Sequence, residues 1–128
     1  LVTMTTVLLI GLAGMGGALS RYWLTGLVHK LTGPSFPWGT LTANIAGCFL
    51  FGVIFALAEE RFVLRDQTRI ILLAGFMGSF TTFSSLIFEC SQLLRDAQWV
   101  LAGLNYLGQT VLGLIALWLG IILIRALG

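Results

Sequence analysis

The sequence predicts an all-α membrane protein with four transmembrane helices, and three observations carry that reading. Of the 128 residues, 58% are hydrophobic and only 9% are charged, whereas about a quarter are charged in ordinary soluble domains. Mean hydropathy is +1.00. Four uncharged stretches, 1–20, 31–58, 70–88 and 97–124, can each supply a span, since crossing the hydrocarbon core takes about 20 apolar residues. The expected spans are 3–30, 39–58, 68–94 and 99–127, which together make one transmembrane domain over 1–128. The connections between them are too short for a soluble or nucleotide-binding fold, so function is expected within the bilayer.

Residues 1–20 lack the basic front end of a signal peptide, and the hydrophobic run continues through Tyr22-Trp23-Leu24 to Val28; this stretch is read as the first span. Cys48 and Cys90 fall inside spans, and His29 is the only histidine, so no metal-ligand spacing arises. The seven Lys and Arg residues are scattered singly rather than clustered, which argues against nucleic acid as a partner. With four spans, Arg61, Arg65, Arg69 and Arg125 share one side and Arg21, Lys30 and Arg95 the other. The positive-inside rule then has little to choose with, and either orientation is open to the chain. No nucleophile and base pair or metal cluster is present, so an enzyme is not expected.

Span one contains Gly11-Leu-Ala-Gly14-Met-Gly16-Gly17-Ala18, in which small residues recur four apart at Ala13 and Gly17, Gly14 and Ala18, and Gly16 and Ser20. Such faces let helix backbones approach closely in lipid. Arg21 follows, beside the interfacial Tyr22 and Trp23. It reads either as a snorkelling charge at a helix end or as a cation that draws anions to a vestibule. The link Thr32-Gly-Pro-Ser-Phe-Pro-Trp-Gly39 is a turn. In span two, Thr40, Asn44 and Gly47 share one face. A membrane asparagine requires partners, either as interhelical glue or as a pore-lining donor. Glu59 to Asp66 is read as a solvated link.

Span three carries Gly75-Phe-Met-Gly78-Ser-Phe-Thr-Thr-Phe-Ser84. Glycine and hydroxyl groups are poor material for an uninterrupted lipid-facing helix, because unsatisfied backbone costs several kcal/mol at that depth. A break is expected here, leaving carbonyls free to hold a cation. Phe76, Phe80 and Phe83 would lie on one face of an unbroken helix. Glu89, near the end of the span, reads either as an ordinary interfacial carboxylate or as one paired with a basic residue such as Arg21 or Arg95. In span four, Asn105, Tyr106, Gln109 and Thr110 form one polar sector on an otherwise apolar rod. That sector must face another helix or a pore.

Three segments taken together resemble the Fluc/CrcB family of fluoride channels: Gly17-Ala-Leu-Ser-Arg21-Tyr22, Gly39-Thr-Leu-Thr-Ala-Asn44-Ile-Ala-Gly47, and Gly75-Phe-Met-Gly78-Ser-Phe-Thr-Thr-Phe83-Ser84. The resemblance extends over essentially the whole chain in length, span count and motif order. It implies an antiparallel, dual-topology homodimer with a broken third helix. Two fluoride pathways and a central structural sodium ion would follow, in a multi-pass protein of a bacterial inner membrane. By the same similarity, main-chain carbonyls of Gly78 and Thr81 would hold the sodium. Asn44 would be a pore-lining donor, Phe83 an aromatic-box ring, Tyr106 and Thr110 the start of a polar track, and Arg21 the cation at the entrance. Two positions depart from the family pattern: Leu86 replaces the second box phenylalanine, and Leu114 stands where the track often continues with a hydroxyl residue. Phe80 is the ring available in place of the missing one.

Fluoride holds its water tightly, so a pathway must replace that shell with closely spaced donors; hydroxyls, an amide and positive ring edges are such groups. Passive flow down the membrane potential would expel fluoride that had entered as HF. The competing expectation is a proton-coupled small multidrug exporter of similar size. That mechanism needs a titratable carboxylate deep in the membrane. Span one has none, and Glu89 is the sole acidic residue placed inside a span.

Overall fold

The computed structural model describes residues 3–128; Leu1 and Val2, which open the first uncharged stretch, lie outside them. As the hydropathy predicts, four helices are long and apolar enough to cross a membrane: Met4–Thr32, Trp38–Glu60, Asp66–Arg95 and Trp99–Ala126.

Helix α1, Met4–Thr32, is capped by Thr3, whose hydroxyl accepts from the Thr6 N–H. It ends at Gly33, at φ 82°, whose N–H returns to the His29 carbonyl at 2.8 Å. A left-handed glycine is the common way to satisfy a helix's last carbonyls. Helix α2, Trp38–Phe55, continues through a wider π-helical turn, Ala56–Glu60. The third span is assembled from short pieces: α3, Asp66–Ile70, a π-helical stretch Ile71–Met77, and α4, Gly78–Phe80. Thr81 and Thr82 are then extended, at φ −95°, ψ 157° and φ −151°, ψ 118°. Helix α5, Phe83–Arg95, starts afresh with the Thr82 hydroxyl accepting from the Ser85 N–H at 3.2 Å. Helix α6, Trp99–Ala126, completes the chain.

Hydrophobic force is absent between helices in lipid, so these elements approach through small residues. A Cβ on Gly17 would collide with the Phe76 carbonyl, and one on Gly75 would sit 2.9 Å from both the Ile10 carbonyl and Ala13. The small-residue face of α1 therefore packs on the third span. Along the α2–α6 contact, Gly52 lies against the Leu117 carbonyl and Gly120 against the Phe49 carbonyl. Ala43, Met77 and Phe80 form a core cluster between α2 and the third span. A second cluster, Ala56, Ile121 and Ile124, lies at the far end of α2 and α6.

The link after α2 forms specific contacts beyond those of a solvated connection. Arg61 donates to the Ile124 carbonyl at 2.8 Å and the Arg125 carbonyl at 3.0 Å, partnering orphan groups at the end of α6. Glu60 pairs with Arg125, and Glu59 with Arg69.

Candidate functional site

The extended pair Thr81-Thr82 interrupts the backbone ladder at mid-span, and side chains from the other helices take up the released groups. The Met77 carbonyl accepts both the Thr81 N–H, at 3.1 Å, and the Thr81 hydroxyl, at 3.0 Å. The Thr82 N–H donates to Asn44 Oδ1 at 2.8 Å, and Asn44 Nδ2 donates to the Thr82 carbonyl at 3.0 Å. Arg21 Nε donates to the Ser79 carbonyl at 3.1 Å. A bilayer has no water to satisfy such groups, which explains why an amide and a guanidinium are found here. The arrangement has a consequence one turn back. In a continuous helix the Thr82 N–H would bond to the Gly78 carbonyl; with Asn44 taking that donor, the Gly78 carbonyl loses its helical partner.

One face of α2 builds the wall opposite the third span. Thr40, Asn44 and Gly47 meet Glu89, Thr82 and Thr81 respectively. Gly47 is required by space: a Cβ there would overlap the Thr81 methyl and lie 3.2 Å from the Phe80 ring.

Behind Asn44 runs a row of buried amides. Asn44 Nδ2 donates to Gln109 Oε1 at 2.7 Å, and Gln109 Nε2 donates to Asn105 Oδ1 at 2.9 Å. Asn105 Nδ2 meets the Cys90 sulfur at 3.6 Å, and that thiol meets the Ala102 carbonyl at 3.6 Å. Asn105 is 0% exposed and Gln109 5%. Both amide hydrogens of Asn44 are thus engaged within the protomer.

The polar sector of α6 therefore divides. Asn105 and Gln109 face inward, whereas Tyr106 and Thr110 lie on the outer face, with the Thr110 hydroxyl bonded to the Tyr106 carbonyl at 2.8 Å. The aromatic residues divide too. Phe83 is 68% exposed, while Phe80 is 6% exposed and stacks on Phe76 with ring centroids 5.8 Å apart. Leu86, in the position of the second box ring, is buried, and Leu114 is exposed. Gly78 is exposed and Thr81 half-buried.

Of its two readings, Glu89 does not meet the pairing with a basic residue. It makes no ion pair with Arg21 or Arg95; Thr40 donates its hydroxyl to Oε2, and Oε1 is buried without a protein partner. Arg21 is taken up by the Ser79 carbonyl, and it lines one open cleft of about 470 Å³ with Glu89 without bonding to it. Thr25, Thr40, Ser84 and Ser85 complete the cleft's polar lining. Sequence reasoning carried Tyr106 and Thr110 forward as site residues but not Gln109, Asn105 or Thr40. The signal for the first two was their i, i+4 amide spacing, which places them on one helix stripe.

Fold and site together define a multi-pass membrane protein that keeps an interrupted, polar segment at mid-span. Comparison with known proteins makes this specific. The profile of the family described as CrcB-like protein, Camphor Resistance (CrcB), matches residues 8–121, and the chain belongs to this CrcB family. A protein of Nitrosococcus oceani named "Fluoride-specific ion channel FluC" is 59% identical over 111 residues, 87% of this chain and 89% of that one. Proteins of the same name from Solidesulfovibrio magneticus and Geobacter sulfurreducens are 51% and 42% identical, covering 91% and 97% of this chain and 93% and 100% of theirs.

Proposed function

We propose that this protein is a fluoride-selective passive ion channel that exports fluoride across a bacterial inner membrane. The observation that carries the reading is 59% identity, over nearly the full length of both chains, to a protein named a fluoride-specific ion channel. The chemistry of the site agrees with it. A dehydrated fluoride ion needs several weak, closely spaced donors, so that it can leave as readily as it enters. The hydroxyls of Ser84 and Ser85 and the ring edges of Phe83 and Tyr106 are groups of that kind; the Asn44 amide and the hydroxyls of Thr82 and Thr110 join them by exchanging a bond within the protomer for the ion. Arg21, at the cleft, supplies positive charge at the entrance. Phe80, buried against Phe76, serves the pathway only as backing to this wall.

In this reading two copies assemble antiparallel into a homodimer, with two pathways formed where the copies meet. The even distribution of basic residues supports dual topology. Exposed Gly78, Phe83, Tyr106 and Thr110 supply a face for the second copy. A structural sodium ion fits the donor set. The Gly78 carbonyl is released by the Thr82–Asn44 bond, the Thr81 carbonyl lies outside any helix, and neutral hard oxygens suit an alkali cation. Such an ion, when bound, supplies a positive centre that joins the two copies.

Proteoliposomes with a fluoride electrode test the function. Fluoride is expected to leave when the membrane potential is released, with chloride retained; equal loss of chloride, or no fluoride release, ends the reading. Cysteine labelling from each side of intact cells is expected to find both orientations. Labelling from one side alone would remove dual topology.

A further inference from the structure

The buried amide row ending at Asn44 has a defined polarity, set at one end by a group that cannot reverse. A backbone N–H can only donate, so the Thr82 N–H, at 2.8 Å, requires Oδ1 rather than Nδ2 of Asn44 at that position. Asn44 then presents Nδ2 to the Thr82 carbonyl and to Gln109, which must answer with Oε1. Gln109 has Nε2 left for Asn105 Oδ1, and Asn105 has Nδ2 left for Cys90. Each amide orientation follows from the previous one. The row is buried, and low polarity around it strengthens each bond while raising the cost of an unpaired member.

From this geometry we infer that Gln109, backed by Asn105, is a positioning residue of the pathway. It fixes the orientation of the Asn44 amide and so holds Thr82 extended. Without an acceptor at Gln109 Oε1, one Asn44 hydrogen is orphaned inside the protein. The amide then gains by rotating toward any other acceptor, and its two-point grip on Thr82 loosens. Gln109 needs no contact with the ion for this role. It acts through Asn44, and the inference rests on the reading of Asn44 as part of a fluoride pathway.

Two substitutions separate positioning from bulk packing. Gln109→Met keeps the length and removes both polar atoms. Gln109→Glu keeps, in its protonated form at a mildly acidic pH, a C=O to accept from Asn44 and an O–H to donate to Asn105. The chain contains two asparagines, Asn44 and Asn105, so asparagine labelled with ¹⁵N in the side chain reports only on this row. In Gln109→Met, one proton of the Asn44 amide pair is expected to move upfield and exchange faster, with fluoride flux lowered about tenfold or more. In Gln109→Glu at the same pH, the parental shifts and flux within about threefold of parent are expected. Unchanged Asn44 signals in Gln109→Met, flux there within about threefold of parent, or a Gln109→Glu protein as impaired as Gln109→Met each overturns the inference. A parent that carries no fluoride defeats the channel reading instead, and the amide signals still decide whether Gln109 orients Asn44.

Discussion

The side-chain amide of Asn44 pairs with the backbone of Thr82 as a neighbouring strand would, donating to its carbonyl at 3.0 Å and accepting from its N–H at 2.8 Å. This pairing satisfies both backbone groups of a residue that has left the helix, at a depth where neither could find water. It also takes the donor that would have closed the ladder onto Gly78. One side chain of α2 thus decides the conformation of the third span.

Asn44→Asp is expected to abolish fluoride flux. The carboxylate keeps an acceptor for the Thr82 N–H but sets its second oxygen against the Thr82 carbonyl and Gln109 Oε1, both acceptors. A fixed negative charge at that point also repels an anion. Flux near the parental rate in the proteoliposome assay would remove Asn44 from the pathway.

Gly47→Ala is expected to destabilise the protein by about 1–3 kcal/mol, the usual cost of overpacking. The added methyl overlaps the Thr81 methyl and crowds Phe80. Pairing it with Thr81→Ser, which deletes that methyl and keeps the hydroxyl bonded to Met77, is expected to recover much of the loss. Thermal unfolding in detergent provides the comparison. If the double variant is no more stable than Gly47→Ala, the assigned clash is not the cause.

Gly120→Ala places a methyl on the Phe49 carbonyl, and Gly52→Ala one on the Leu117 carbonyl. Neither obstacle is a mobile side chain, so α2 and α6 must separate. Each substitution is expected to cost about 1–3 kcal/mol, whereas Gly103→Ala, where nothing stands within 4 Å of the new atom, is expected to leave the melting temperature unchanged or raise it slightly. Equal melting temperatures for the three variants would refute this account of the contact.

Arg21→Gln tests whether the guanidinium draws anions as well as bonding to Ser79. If it does, the flux deficit is largest at low salt, where the screening length is about 30 Å at about 0.01 M, and fades near 1 M, where it is about 3 Å. A deficit of the same size at both ionic strengths assigns Arg21 to backbone support alone.

Glu59 to Asp66 shows where linear reading falls short. The segment reads as solvated because its residues are charged, yet Arg61 reaches across to the end of α6 and Glu60 to Arg125. A helix end displays carbonyls that any nearby cation can serve, and which cation arrives depends on how the spans are brought together. Glu89 makes the same point. Arg21 and Arg95 were open to it as basic partners, but α2 delivers the Thr40 hydroxyl instead, and Arg21 is held by Ser79.

By itself, the sequence determined that the chain makes four long apolar helices, and the motifs of spans one to three identified its family. A backbone in hydrocarbon must satisfy its own polar groups, so hydropathy and length leave few alternatives to a helix. Only the tertiary structure decided how the polar groups are shared among those helices. Asn105, Tyr106, Gln109 and Thr110 occupy one broad sector, but successive residues diverge by about 100° around a helix. A small rotation of α6 determines which edge of the sector is buried. The Gly52 and Gly120 contacts set that rotation, turning Gln109 toward α2 and Asn105 toward α5 and leaving Tyr106 and Thr110 outside. The extended form of Thr81 and Thr82 likewise rests on a partner from α2, because Asn44 supplies the bonds to the N–H and the carbonyl of Thr82 that a continuous helix would have made within the span.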